Sequence, residues 1–324
     1  MLPDTYNLSN FIRAVKNPSR FVAEGRRRIT QAARPIQNWR FRKQYGQGVD
    51  IIERDWDNLL IFDSCRYSNF EEYNSIDGEL QSVVSRGSRS SEFLKSNFEG
   101  REIHDTVYIT ANPYTEMLSD DVFHWVDNLL VDHWNAELGT VPPDAVVTAA
   151  KKAVERFPRK RLIVHFMQPH TPWIGPTANR IRERLDVEGY DRLLIRDSES
   201  SKGDGVDYWE GVRNDNISEQ EMHQAYRESI EIVCSHGQEL INSLSGKSVV
   251  TADHGEMLGE RIIPGGSRIY GHPKKTYTPE LAVVPWLVVE GKTRRKTSLD
   301  PPVGFKRLED DKVEDRLRAL GYTE

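Results

Sequence analysis

The chain has 324 residues, a formal net charge of −6, and 37 % hydrophobic against 29 % charged residues. That balance suits one large soluble α/β domain or two modest ones, with a sizeable core, and no apolar run approaches the ~18 residues that a membrane-spanning helix needs. Two cysteines, Cys65 and Cys234, exclude a disulfide framework, and the opening "MLPDTYNLSNFIRAVKNP" has no basic start followed by an apolar stretch, so a cytoplasmic location is the default expectation.

The charge is unevenly spread. Residues 1–45 hold ten Lys and Arg against Asp4 and Glu24, a net +8 that leaves −14 for the remainder. Residues 9–45 read as a basic helical extension that Pro18 and Pro35 would break into pieces. The plain expectation is a helix docked on the body with its charges solvated. An anionic membrane surface is a candidate partner for residues 1–45. A nucleic acid is not favoured, because no helix-turn-helix, zinc-finger or RNA-binding signature accompanies the charge.

From residue 46 to 324 the chain reads as one α/β domain. "NLLIFDS" (58–64) is an apolar run ending in a carboxylate, and "DTVYITANP" (105–113) is β-rich and ends in turn residues. "PDAVVTAAKKAVERFP" is an amphipathic helix with Asp144 near its start, and "RLIVHFMQPHTPW" is another apolar run that turns polar. Residues 175–220 are polar and rich in Gly, Asp and Ser, and read as an insertion or substrate-side cap. A long amphipathic helix, "SEQEMHQAYRESIEIVCSHGQELINSLSG", is stopped by Gly246. "KSVVTADHGE" and "ELAVVPWLVVEG" follow, and "DKVEDRLRALGYTE" closes the chain as a short helix. Strands alternating with helices predict a mostly parallel central sheet with helices on both faces.

In such sheets ligands bind beyond the C-terminal strand edge. Three segments end there in groups of one chemical kind: Asp63, His165 with His170, and Asp253 with His254. Two carboxylates and an imidazole suit Zn or Mn, while an all-oxygen set would lean to Mg or Ca, so a divalent metal ion of unspecified identity is expected. An adjacent Asp-His pair cannot point both side chains one way within a regular strand. At a strand-to-turn junction it can, and Gly255 is expected to permit that turn.

"VVTADHGEMLGE" followed by "YGHP" and "VVPWLVV" resembles the C-terminal half of the alkaline phosphatase/sulfatase superfamily. "NLLIFDSCRY" resembles its first metal-binding strand and "HFMQPHTPW" its His-x-Pro-type segment. The resemblance spans residues 58–289 and implies an alkaline-phosphatase-like fold. It also implies a metal held by Asp63, Asp253 and His254, with a nucleophile as a further ligand. Comparison with the superfamily's Gly-Ser-x-Thr-type turn puts Ser90 of "SVVSRGSRSSEFLKSNFEG" at that position, with Ser91 and Ser88 as competitors. Arg86 and Arg89 flank it and could hold anionic oxygens. Neither Cys65 nor Cys234 lies in a formylglycine context. The resemblance further implies that His170 and His272 bind the substrate oxyanion, assist the leaving group, or ligate a second metal, for which Glu256 is the nearest carboxylate. His165 is expected behind the first ligands. Asp63-Ser64 lacks a doubled Asp, which suits one metal better than two.

The resulting expectation is a metallohydrolase or phosphotransferase. It would act on a phosphate ester of a small molecule, lipid or glycan through Ser90, with His170 or His272 protonating the leaving group. The alternatives are a sulfate-ester hydrolase on the same fold, or a metal-binding protein of the superfamily without catalysis.

Overall fold

The computed structural model describes residues 18–185 and 208–320. An eight-stranded sheet, in the order β10-β4-β3-β5-β1-β6-β9-β2, organises the domain. Its centre is β1 (Asn58–Phe62), whose residues are all buried. A run without alternation of this kind fits a strand covered on both faces. β1 pairs in parallel with β5 (Arg161–Phe166) on one side and β6 (Ser248–Thr251) on the other. Beyond β5 lie β3 (Ile103–Thr110), β4 (Phe123–Asn128) and the short β10 (Gly304–Lys306), all parallel. Beyond β6, β9 (Val283–Val289) runs antiparallel to both β6 and β2 (Glu79–Val84), so β9 alone opposes the common direction.

After β1 the chain crosses to β2 at one edge, then returns to β3 on the opposite side. β1 therefore lies at a switch point, where parallel sheets leave a crevice beyond their C-terminal ends. The helices close the core. α1 (Pro18–Tyr45), α2 (Tyr67–Tyr73) and α3 (Ser90–Phe98) come first in the chain. α4 (Pro143–Arg156) packs on β3 and β5. α5 (Pro176–Leu185) and α6 (Tyr208–Arg213) precede α7 (Glu219–Ser243), which lies against α2, α4 and α5. α8 (Pro279–Ala282) leads into β9, and α9 (Asp310–Ala319) is the closing helix expected from the sequence. The start of α7 is fixed by a capping box between Ser218 and Glu221. No helix among the described residues is long and apolar enough to cross a membrane.

Two expectations need adjustment. α1 is one 28-residue helix with Pro35 inside it, not a set of pieces. The body holds both halves in line: Thr30 Oγ1 accepts from Ser267 N at 2.8 Å, and Asn38 Oδ1 accepts from Tyr277 N at 2.9 Å. Pro35 itself is exposed, so water can solvate the carbonyl that its ring leaves without an amide partner. The middle of the 175–220 segment, residues 186–207, lies outside the described residues. Its ends are α5 and α6, and Trp209 of α6 sits 5.3 Å from the Trp173 ring and 6.4 Å from the Tyr270 ring.

The opposite, N-terminal edge of β1 and β6 is tied by Asp57. Its Oδ2 accepts from Lys247 N at 2.7 Å and from Arg294 Nε at 2.6 Å, and its Oδ1 accepts from Arg295 N at 3.1 Å. A Cβ at Gly246 would lie 2.6 Å from this side chain, and its φ is +92°, so glycine is required there on both counts. Asp57→Ala leaves the backbone N–H groups of Lys247 and Arg295 and the Nε–H of Arg294 without their acceptor. Chemical denaturation is expected to show a loss of about 2–4 kcal/mol.

Candidate metal centre

The register of the three central strands brings the chemistry together. Ile61 of β1 is level with His165 on β5 and with Thr251 on β6. Asp63, one residue past β1, therefore emerges beside His165 and beside Asp253, two residues past β6. All three side chains are fully buried. His165 Nε2 lies 3.5 Å from Asp63 Oδ2 and 3.8 Å from Asp253 Oδ2. His254 Nε2 lies 3.7 Å from Asp63 Oδ1 and 3.4 Å from Asp253 Oδ2. The structure thus gathers Asp63, Asp253 and His254, and it brings His165 into the same cluster rather than behind it.

Ser90 completes the group. Its Oγ donates to Asp63 Oδ2 at 3.2 Å and lies 3.2 Å from His254 Nε2. The competing serines are placed otherwise: Ser88 Oγ donates to Glu92 Oε2 at 2.9 Å, and Ser91 stands at the surface of the turn, half-buried. Ser90 is the first residue of α3, whose N-terminus favours negative charge on a nearby oxygen.

Each polar atom has a defined orientation. Asp253 Oδ1 accepts from Ser64 N at 3.1 Å and His254 N at 2.8 Å, which turns Oδ2 toward the imidazoles. His254 Nδ1 donates to the Gly255 carbonyl at 2.8 Å, so its Nε2 lone pair faces Ser90. His170 Nδ1 is bound in the same way to the Thr171 carbonyl. Ser64 has φ of 60°, a left-handed value uncommon outside glycine. Tyr226 holds it there, donating to its carbonyl at 2.6 Å.

A second set of donors adjoins the first. His170, Glu256 and His272 offer ligand atoms that all lie within 4.8 Å of one another, as do those of Asp63, His165 and Asp253. The His272 ring centroid is 5.0 Å from that of His170 and 4.6 Å from that of His254. His272 Nδ1 lies 2.9 Å from Glu256 Oε1.

The electrostatics of so many buried ionisable groups are unbalanced. Burial pushes up the Asp253 carboxyl, and the neighbouring Asp63 charge adds to it. Burial works on Asp63 in the same sense, but the close His165 ring and the adjacent imidazoles outweigh it and hold that carboxyl well below the carboxylate range. Burial raises Glu256 to about 8. It lowers His170 to about 4 and His272 well below its ordinary value, so both imidazoles are neutral, the form that donates a lone pair. His254 is raised, because the Asp253 and Asp63 charges overcome its burial. Among the described residues no hydrogen-bond partner reaches His165 Nε2, Asp253 Oδ2 or Glu256 Oε2. Buried carboxylates facing unpartnered nitrogens are costly without a cation between them, and the donor set fits a divalent metal ion.

Three contributors were not legible in the sequence. Asn112 Nδ2 donates to Asp63 Oδ2 at 2.6 Å, and Tyr108 Oη lies 2.7 Å from His165 Nδ1. Ser64 is the third, through its strained backbone. Of the two flanking arginines, Arg86 is taken up by Asp50 at 2.9 Å. Arg89 is 6 % exposed, donates to Tyr114 Oη, and has no partner for Nε among the described residues. Gly255 serves a different purpose from the one expected. A Cβ there would lie 2.0 Å from the Glu280 carbonyl oxygen, so the requirement is close approach of α8 and not an unusual φ.

No family model matches the chain, and no curated protein matches it. It is similar to solved structures. The C-terminal periplasmic domain of EcEptC from Escherichia coli, in complex with Zn, is 15 % identical over 76 % of this chain and 76 % of that chain, with a TM-score of 0.47. The integral membrane protein lipooligosaccharide phosphoethanolamine transferase A (EptA) from Neisseria meningitidis is 15 % identical over 72 % of this chain, with a TM-score of 0.47, and this chain spans about half of its length, 47 %. A protein in the alkaline phosphatase superfamily from Vibrio parahaemolyticus is 10 % identical over 74 % of this chain and 61 % of that chain, with a TM-score of 0.43. The last bears the superfamily name to which the motifs pointed.

The cytoplasmic location expected from the sequence is overturned here, because the similar E. coli chain is a periplasmic domain and the Neisseria protein is an integral membrane protein. Cys65 and Cys234 are both fully buried, so their free thiols carry no information about compartment.

Gly255→Ala is expected to destabilise the fold by about 2 kcal/mol or more, since the methyl group forces α8 away from the turn. The same shift moves His254, so thermal unfolding and metal content should fall together.

Proposed function

We propose that the chain is a metal-dependent enzyme that hydrolyses or transfers phosphate esters, with Ser90 as nucleophile and Asp63, Asp253 and His254 as the metal-holding groups. The observation that carries this reading is the position of Ser90 Oγ, 3.2 Å from both Asp63 Oδ2 and His254 Nε2 at the start of a helix. His165 adds a fourth protein donor. A divalent cation held there would lower the pKa of the serine hydroxyl and draw charge from the phosphoryl oxygens.

The residues of the chain supply the rest. Asp63 Oδ2 accepts a hydrogen bond from the Ser90 hydroxyl and orients Oγ for attack, with Asn112 fixing the carboxylate, and the hydroxyl proton leaves to water, eased by the lowered hydroxyl pKa. The Oγ–phosphorus bond forms as the bond to the leaving oxygen breaks, giving phospho-Ser90, and the group then passes to water or an alcohol. Arg89, a buried cation next to the nucleophile in sequence, suits the equatorial oxygens. Glu256, whose raised carboxyl keeps its proton, is proposed to supply the leaving oxygen's proton through neutral His272, 2.9 Å from it, or through His170. Phosphate is preferred over sulfate because neither Cys65 nor Cys234 lies in a formylglycine sequence context, and both side chains are packed into the hydrophobic core.

The test combines metal analysis with a panel of nitrophenyl phosphate mono- and diesters and nitrophenyl sulfate. Ser90→Ala is expected to keep its metal and lose turnover by roughly a thousandfold or more. Asp253→Ala is expected to lose metal and activity together. Metal retained in Asp253→Ala, or full turnover in Ser90→Ala, would falsify the assignment.

A second reading of the flanking trio has an observation of its own: three donors in reach of one another, two of them neutral imidazoles, and an unpartnered Glu256 oxygen. On that reading His170, Glu256 and His272 hold a second cation. Titration with Zn separates the two. Two equivalents per chain, falling to one in Glu256→Gln, support the second cation. A single equivalent in both proteins leaves the trio to proton transfer.

A further inference from the structure

α1 has two unlike faces. Thr30, Asn38 and Phe41 turn inward, onto the segment that carries His272: Ser267 and Tyr277 donate to the first two, and the Phe41 ring is 6.2 Å from that of Tyr277. The other face points away from the domain. Val22, Ile29, Ile36 and Trp39 are 50, 53, 58 and 61 % exposed. Val22, Ile29 and Ile36 recur every seven residues, and Gly25, Ala32 and Trp39 each follow one of them by three. At 3.6 residues per turn these positions share a stripe about 100° wide. Arg26 and Arg28 border it, Arg40 and Lys43 stand at its C-terminal end, and all four are exposed. The Lys43 ammonium lies 5.2 Å from the Trp39 ring centroid.

We propose that this face of α1, the Val22, Ile29, Ile36 and Trp39 stripe with its bordering cations, docks on an anionic lipid surface. An apolar stripe wide enough to enter the headgroup boundary, basic borders and a tryptophan are the features that hold a helix in the plane of an interface. Charge decides against the other occupants. Residues 18–45 contain eight Lys and Arg against Glu24 alone, so a second copy packed along the seven-residue repeat would bring like charges together. Phosphate backbones would satisfy the cations and leave three branched aliphatic side chains in water. An anionic bilayer satisfies both, and the acidic remainder of the chain is repelled from it, so one face is selected. This surface stands independently of the Ser90 chemistry.

The experiment is co-sedimentation of the full chain with vesicles of phosphatidylglycerol and phosphatidylcholine in equal parts, and with vesicles of phosphatidylcholine alone. The wild type is expected to partition onto the anionic vesicles at least about tenfold more strongly than Ile29→Asp/Ile36→Asp, and to be released as salt rises. Arg26→Gln/Arg40→Gln should weaken binding to anionic vesicles and leave the phosphatidylcholine background unchanged. Both substituted pairs are exposed, so unfolding temperature and turnover of a soluble nitrophenyl ester should match the wild type. Equal partition of wild type and Ile29→Asp/Ile36→Asp overturns the proposal. So does a wild-type dimer in sedimentation velocity that this variant splits, or retention of duplex DNA that it abolishes in place of vesicle binding. Loss of ester turnover in every protein, with partition still following the stripe, counts against the phosphate-ester reading and not against this one.

Discussion

Two carboxylates, Asp63 and Asp253, are fully buried within reach of the same imidazoles, and the rest of the site is arranged around that fact. Unscreened charges this close cannot both be stable in a low-dielectric interior. The protein offsets part of the cost with fixed dipoles: two backbone amides on Asp253 Oδ1, and the Asn112 amide and Ser90 hydroxyl on Asp63 Oδ2. The remaining oxygen of Asp253 and the facing nitrogen of His165 have no such partner among the described residues. A divalent cation is the simplest species that satisfies both at once, and it would bring Ser90 Oγ under the same field.

The sheet makes this concentration of charge possible. β5, β1 and β6 are adjacent and parallel, so their C-terminal ends open on one side and the polar groups need not cross the hydrophobic interior. Below them β1 is apolar from Leu59 to Phe62. At the opposite end Asp57 locks the Lys247 and Arg294 segments, which fixes where β6 begins and hence where Asp253 emerges. A register slip of one residue would invert the faces of β6 and remove Asp253 from Asp63. Stability at one edge and chemistry at the other are therefore linked through a four-residue strand.

What could be read from the sequence follows from how local each signal is. β1, β5, β6 and β9 were legible because largely buried strands are near-continuous apolar runs, and α7 because its amphipathic pattern and its stop before Gly246 are local features. β2 was not, since "ELQSVV" is mostly exposed and is recruited only by pairing with β9. In the site, Asp63, Asp253 and His254 could be named because each follows an apolar run directly. Ser90 needed the superfamily comparison, and the geometry then separates it from Ser88, which Glu92 holds. Asn112 and Tyr108 were hidden, because their roles depend on β3 lying beside β5, a neighbour relation that no local pattern encodes. The purpose of Gly255 was hidden for the same reason: the Glu280 carbonyl that it must admit is 25 residues away in sequence.

Glu92, which no motif singles out, joins the outer helix to the nucleophile. From the first turn of α3 it accepts from Ser88 N and Oγ at 3.1 and 2.9 Å, from Lys275 N at 2.9 Å and from Tyr277 Oη at 3.1 Å. Burial opposes its charge, but the amides of Ser88 and Lys275 outweigh it and keep the carboxyl below its ordinary range. One carboxylate thus fastens the turn that presents Ser90 to the segment that carries His272. That same segment is what α1 grips through Asn38, whose amide also donates to the Lys275 carbonyl at 2.7 Å. The route from α1 to Ser90 therefore passes through two side chains, Asn38 and Glu92, and one stretch of backbone. A helix seated this way is part of the frame that sets the nucleophile's position, but it acts there through its inward face, and the outward stripe takes no part in that route.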